Sequence, residues 1–346
     1  MPVVLAILAL LMLATRTGGD ARLFAALVLV AGGAWLAVHV DGWAGVFLAY
    51  CALLTLITPS EQRGLVAVQL LALGLLAYAL IRRGYAFPYA RPVLVALGAA
   101  QAVYALAQAA GFDRPEFLDG FRATGTMGNP NWAGSAMAMT GALSPPVLLP
   151  LFAAGLVACG HRLGLVAFAA AVAWRWRRYW RWSVPAAAFI AVVLTVATLL
   201  DPDRDVVGSL DSFWNRGAAW GYGLTLWLHN GVLLGLGPNG WATYMPSYQF
   251  ALGQPGGLFL HAHNEPLQVL VEAGLIGFAI LTAWTWSARA TVWTSWGPAV
   301  VALGILSVGM FPFRVPALGM LAAVVVGAAM EERTQSVSDG RALPPR

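Results

Sequence analysis

Chemistry in this chain gathers in a few polar stretches, the densest being His261-Ala-His-Asn-Glu-Pro-Leu-Gln-Val-Leu-Val-Glu-Ala-Gly-Leu-Ile-Gly277. A histidine just ahead of a helix feels the positive end of the helix dipole, which disfavours imidazolium and leaves a neutral ring able to accept a proton. His263 is therefore a candidate general base, and a capping histidine without chemistry is the other reading of the same residue. Asn264 or His263 caps the helix, and Pro266 suits its first turn. Glu265, Gln268 and Glu272 fall within about 60° on a wheel of about 100° per residue, so one stripe of the helix is polar. Glu272 lies deep enough to require an Arg or other donor from a neighbouring helix. His261, His263 and Glu265 alternate as metal ligands would on an extended segment. Pro266 and the helix start break that geometry, and no Cys or further His completes a shell. No metal and no cofactor is expected.

The arginines supply the second kind of chemistry. Arg122-Ala-Thr-Gly-Thr-Met-Gly-Asn-Pro-Asn131 reads as a turn and helix start, with Asn129-Pro130 in the turn and Asn131 as cap. Two Asn, two Thr and an Arg in so apolar a chain also mark a binding stretch. His161-Arg162 interrupts an apolar hairpin, where an arginine either snorkels to the interface or faces a partner or a watery cavity. Arg216 stands near the start of Phe213–Asn230, where Trp214, Trp220 and Trp227 recur at near-helical spacing. That pattern predicts an interfacial helix whose tryptophans anchor in lipid. Gly235-Leu-Gly-Pro-Asn-Gly240 is a tight turn without the strand and helix of a phosphate loop.

The elements that must position these residues are membrane helices. The chain has 346 residues, 60% of them hydrophobic and 10% charged, with a mean hydropathy of +0.72. A span needs roughly 20 apolar residues, so about twelve spans are expected. Apolar runs lie near 2–15, 22–40, 42–58, 64–82, 92–111, 131–144, 147–160, 162–174, 184–200, 265–287, 293–311 and 316–330. The expected fold is an all-α polytopic transmembrane bundle: one integral membrane domain over 1–330, a long extracytoplasmic loop 201–264 between spans nine and ten, and a disordered cytoplasmic tail over 331–346. All 20 basic residues are Arg. The net charge of +5 suits anionic lipid, but no continuous basic face is present for nucleic acid. Cys51 and Cys159 sit in apolar runs as small core residues. Arg82, Arg83 and Arg91 cluster in one connection and Arg175, Arg177, Arg178 and Arg181 in another, so positive-inside bias puts both, and both termini, in the cytoplasm. The stretch 112–130, the turn at His161-Arg162 and the loop 201–264 then face outward. No internal repeat and no matched pair of broken helices is visible, which weighs against a transporter.

Together these motifs resemble the O-antigen ligase and polymerase superfamily of bacterial membrane glycosyltransferases. His263-Asn264, nine residues, Gly274, two residues and Gly277 is similar to its signature. Gly125-Thr-Met-Gly-Asn-Pro-Asn131 looks like its outer-loop motif, and Arg216-x3-Trp220 followed by Leu236-Gly-Pro-Asn-Gly240 like its long-loop pattern. The likeness runs over roughly residues 120–320 and includes Phe311-Pro-Phe-Arg-Val-Pro316. Where the family carries a Ser-Arg-Gly turn, this chain has Gly160-His161-Arg162-Leu163-Gly164. The resemblance implies metal-independent, inverting transfer of a glycan from a polyprenyl (undecaprenyl) diphosphate carrier to an acceptor hydroxyl at the outer face of the inner membrane. In that scheme His263 is the base and Arg216 and Arg162 hold the diphosphate, while Arg122, Asn129, Asn131, Asn264, Glu272 and Arg314 shape substrate binding. The implied partners are the lipid-linked glycan donor, a glycan, lipid or protein acceptor with a free hydroxyl, and membrane lipid. A polymerase, a protein O-oligosaccharyltransferase, and a lipid-linked oligosaccharide flippase of a different class are the competing functions.

Overall fold

A computed structural model describes residues 19–58, 61–83, 87–113, 122–179, 181, 185, 188, 192, 206–251 and 260–339. The expected spans 2–15 and, except for three residues, 184–200 lie outside the described residues, as do parts of the long loop and the end of the tail. Every regular element among the described residues is helical. We number the α-helices α1 (Gly19–His39), α2 (Gly42–Ile57), α3 (Glu61–Arg82), α4 (Phe87–Ala109), α5 (Pro130–Leu143), α6 (Leu149–Cys159), α7 (Arg162–Arg175), α8 (Val206–Asn230), α9 (Gly240–Ala251), α10 (Glu265–Ala288), α11 (Gly297–Gly309) and α12 (Pro316–Ser338).

By length and composition, Tyr89–Ala109 and Glu265–Trp293 can each cross a bilayer. Ala26–His39, Gly42–Ile57, Val66–Arg82, Pro146–Cys159 and Gly297–Gly309 are apolar but shorter. At about 1.5 Å per residue, α5, α6 and α7 with 14, 11 and 14 residues fall short of a core about 30 Å thick.

The helices form two compact units. The first joins Met1–Ala79 to Asp211–Arg289. Its α1–α2 hairpin brings two backbones together at Gly33 and Gly45: a Cβ on Gly33 would lie 2.8 Å from the Ala49 nitrogen, and one on Gly45 would overlap Ala37. Small residues four apart on both helices permit this approach. Asp41 caps α2 by accepting from the Ala44 N–H at 3.0 Å, and its other oxygen accepts from Tyr78 Oη at 2.7 Å. A smaller core of Ala219, Leu226, Leu236, Trp241, Met245, Ala262 and Val271 fixes α8, α9 and the start of α10 around the candidate base.

The second unit joins Leu80–Leu210 to Ala290–Arg346. Its core is alanine-rich with Met137, Met139, Phe152, Leu156 and Leu306 fully buried, and it packs α5 among α4, α6, α7 and α11. The antiparallel helices give this unit two ends of different chemistry. At one, Arg91 Nε and Nη2 donate to the Leu143 carbonyl at 3.0 and 2.9 Å, Arg175 donates to the Ser144 carbonyl, and Arg177 lies 5.0 Å from the Trp293 ring centroid. Arg82 pairs there with Glu331 at 3.6 Å and Ser295 Oγ donates to Glu332 at 2.7 Å. The two arginine clusters assigned to one side by charge thus share one end. The tail differs from expectation, because α12 continues through Ser338 and its Glu331 and Glu332 are held by these partners.

Candidate active site

The most informative local structure is a break in α10. Gly274 adopts φ 64° and ψ −170°, a region essentially restricted to glycine, so the ladder stops after Ala273. Buried backbone groups freed by such a break must find other partners. Residues 231–237 supply them: the N–H groups of Leu236 and Gly237 donate to the carbonyls of Val271 and Glu272, both at 2.9 Å. In return the N–H groups of Leu275 and Ile276 donate to the carbonyls of Val232 and Leu233, at 3.0 and 3.2 Å. Tyr50 Oη of α2 donates to the Ala273 carbonyl at 2.8 Å. A Cβ on Gly235 would sit 2.5 Å from the Gly274 nitrogen, which explains why the 235–240 turn and the Gly274-x2-Gly277 pattern occur in one sequence. They are two sides of one joint.

This joint leaves the first half of α10 as a short platform. Asn264 caps it, its Oδ1 accepting from the Leu267 N–H at 2.9 Å, which selects Asn264 over His263 as the cap. The polar stripe is present and buried, with Glu265, Gln268 and Glu272 all under 5% exposed. Its organising member is Gln268: its Oε1 accepts from the Ala262 N–H at 3.0 Å, and its Nε2 donates to Glu272 Oε1 at 3.0 Å and lies 3.4 Å from His261 Nδ1. Gln268, one turn earlier on the same helix, reaches Glu272 because side chains four apart are neighbours.

His263 follows Ala262 with φ 52°, a left-handed conformation uncommon outside glycine, though histidine tolerates it better than most side chains. Its neighbours enforce it. Ala262 is bonded through its N–H by Gln268 and through its carbonyl by the indole Nε1 of Trp220, while Asn264 is locked as cap. Trp220 stands one turn after Arg216 on α8, so the same face that grips Ala262 carries the guanidinium toward the histidine. Burial, then the charges of Arg216 and His261, hold the His263 imidazolium down to about 4, so the ring is neutral at physiological pH. Burial, more than the helix dipole, produces the neutral ring. Arg216 is itself pushed below its ordinary value by burial yet stays charged. Since His263 is left-handed and Glu265 opens α10, the alternating face required of a His261-His263-Glu265 metal site is not formed. Among the described residues no three His, Cys, Asp or Glu groups converge as ligands.

The tryptophans of α8 are not merely lipid anchors. Trp220 grips Ala262, and Trp227 Nε1 donates to the Val232 carbonyl at 3.1 Å, tying α8 to the segment that patches α10. The side chain of Trp214 lies outside the described residues.

The second unit gathers the remaining candidates at its other end. Gln108 Oε1 accepts from the N–H groups of Thr124 and Gly125 at 3.0 and 2.8 Å, and Gln101 Oε1 from Thr126 Oγ1 at 2.6 Å. The Ala123 N–H donates to the Ala158 carbonyl at 3.1 Å, which sets half-buried Arg122 beside the end of α6. Asn129, not Asn131, caps α5, because Pro130 occupies the first helical position and Asn129 Oδ1 accepts from the Asn131 N–H at 2.9 Å. His161 is buried against Gly134 of α5 in the turn before α7. Arg162 opens α7, and its neighbour Leu163 packs on Gly309 at the end of α11, after which the Pro312–Arg314 turn carries Arg314. Arg122, Asn129, Asn131, Arg162 and Arg314 therefore share one end of this unit, while His263, Asn264, Glu272 and Arg216 lie within the first. Gln101, Gln108 and Tyr50 carry local scaffolding without having been singled out from sequence. Two are glutamines inside an apolar helix, a signal that was readable.

Residues 147–282 match the family model described as O-antigen ligase, about two fifths of the chain and inside the region carrying the motifs. The match takes in Arg162, Arg216, Trp220, His263, Asn264, Glu272, Gly274 and Gly277. Comparison with curated proteins gives no match. Motifs and family model agree: over residues 147–282 the chain is similar to the O-antigen ligase family.

Proposed function

We infer that this protein is a ligase-type inverting glycosyltransferase that moves a glycan from a polyprenyl diphosphate carrier to an acceptor hydroxyl at the outer face of the inner membrane. The observation that carries the reading is the pairing of a half-buried, neutral His263 with Arg216, which stands one turn from the Trp220 that grips Ala262. The acceptor oxygen attacks the anomeric carbon as His263 takes its proton, the bond from that carbon to the diphosphate oxygen breaks, and the diphosphate leaves with the electron pair. Arg216 offers a forked set of donors to the leaving group, so no divalent ion is required. Diphosphate held against Arg216 would offset the field that this charge exerts on His263, making the ring a stronger base with the donor in place. Arg162 is the second diphosphate-holding arginine of this scheme on motif resemblance, and Arg122, Asn129, Asn131, Asn264, Glu272 and Arg314 shape donor and acceptor binding. About twelve spans, an outward loop 201–264 and cytoplasmic termini complete the picture.

A polymerase or protein O-oligosaccharyltransferase would use the same groups with another acceptor. The Gly274 break favours a flippase or other transporter, since interrupted helices recur at transport sites. Here the break is closed by residues 231–237 and offers no open half-helix terminus, which supports the enzyme. The deciding experiment incubates the purified full chain with a synthetic polyprenyl-diphosphate sugar and candidate hydroxyl acceptors. A new glycosidic bond of inverted anomeric configuration is expected, and acceptor identity sorts ligase from polymerase. Donor binding without any bond formed would overturn the enzyme in favour of the transporter.

A further inference from the structure

The arginine-rich end of the second unit carries a feature that glycan transfer does not use. Arg91, near the start of α4, and Arg175, the last residue of α7, converge on the carboxyl end of α5, where they cap the carbonyls of Leu143 and Ser144. Each guanidinium has five donors. Arg91 commits Nε and Nη2, and Arg175 one Nη1, so most of their donors are left over. The two cations are close enough for their charges to oppose one another, and among the described residues no carboxylate pairs with either. Beside them runs a crevice of about 550 Å³, lined by both arginines and by Val95, Ala96, Ala99 and Leu148. It opens along α4, one of the two helices able to cross a bilayer, whose Val93 and Leu97 are 52% and 63% exposed. Val147, in sequence between the lining residues Pro146 and Leu148, is 81% exposed.

We propose that this crevice is a binding site for an anionic membrane phospholipid, with the phosphodiester held by Arg91 and Arg175 and one acyl chain lying along Val95, Ala96 and Leu148. Capping of α5 accounts for one acceptor per arginine and the Trp176 ring lies 5.4 Å from the Arg175 guanidinium, which leaves a like-charged pair beside an apolar channel with no carboxylate partner among the described residues. An anionic headgroup with a hydrocarbon tail answers both features, and basic pockets between membrane helices are suited to such headgroups. The occupant is distinct from the diphosphate carrier, because Arg91 and Arg175 lie at the end of the unit away from Arg162 and Asn129.

The test is lipid retention by the full chain, purified in detergent with phosphatidylglycerol or phosphatidylcholine and read by native mass spectrometry. One phosphatidylglycerol per chain is expected to survive in preference to phosphatidylcholine. Arg91→Gln with Arg175→Gln, which keeps amide donors for the α5 carbonyls, should lower that retention about tenfold or more. Ala96→Trp fills the crevice, leaves both arginines in place and should lower retention similarly, so it decides the matter alone if the double variant fails to fold. Equal retention of the two lipids, or wild-type retention in Ala96→Trp, overturns the proposal. Displacement of phosphatidylglycerol by millimolar inorganic phosphate also overturns it, because the acyl chain would then contribute nothing.

Discussion

Trp220 and Ala262 are joined by a hydrogen bond from the indole Nε1 to the main-chain carbonyl, so the residue before His263 is tethered to the helix that carries Arg216. Trp220→Phe keeps most of the ring and removes the donor. Turnover is expected to fall about 10–100-fold, as for other groups that orient a reacting side chain, with protein level and donor binding near normal. Steady-state kinetics beside a donor-binding measurement separates the two. An unchanged turnover would show that His263 is set without this bond.

His263 remains neutral down to about pH 4 because it is buried and because Arg216 and His261 oppose its imidazolium. In the free protein the acid limb of kcat/KM should therefore fall near pH 4, well below the ordinary histidine value. Arg216→Gln removes one opposing charge and should move the limb upward, though activity is lower. The sign for stability follows from a depressed folded value. Above pH 6.5 folded and unfolded chains are both neutral at this residue, and the contribution is complete. Between about 6.5 and 4 the unfolded chain gains a proton that the folded one refuses, so stability falls as pH falls.

The joint at Gly274 is open to direct attack. Gly274→Ala places a Cβ onto the Leu233 carbonyl at a dihedral that alanine disfavours, and a loss of about 2–4 kcal/mol is expected. Tyr50→Phe leaves the Ala273 carbonyl without its hydroxyl donor, at about 1–3 kcal/mol. Thermal unfolding in detergent checks both, and Tyr50→Phe should be the milder. Equal midpoints to wild type in both variants would mean that the break tolerates a helical repair.

Lysine keeps charge but not the planar fork, so Arg216→Lys is expected to remain damaging, by about tenfold or more in kcat/KM if the contact to diphosphate is bidentate. EDTA should leave transfer intact. Activity lost on chelation and restored by Mg²⁺ or Mn²⁺ would instead assign the diphosphate to a metal.

Much of this architecture was legible because punctuation in the sequence is strong. Pro130, Pro266 and Pro316 stand at or beside helix starts, and charge clusters mark one end of the second unit. The break at Gly274 was hidden for a physical reason. Apolar periodicity continues through it, and nothing local shows that residues 232–237 supply the missing partners. Spacing placed Trp220 and Trp227 on a helix but could not reveal what their N–H groups reach, and a hydropathy argument assigns such rings to lipid. Asn131 was read as the cap and Asn129 as part of the turn, but Pro130 favours the first helical position and so makes Asn129 the cap.

The central claim is that His263 takes the acceptor proton, and His263→Ala in the purified full chain tests it most directly. With a synthetic polyprenyl-diphosphate sugar and a hydroxyl acceptor, turnover should drop by roughly two to four orders of magnitude while donor binding and folded protein level persist. His261→Ala should do far less. Wild-type turnover from a well-folded His263→Ala protein would contradict the account.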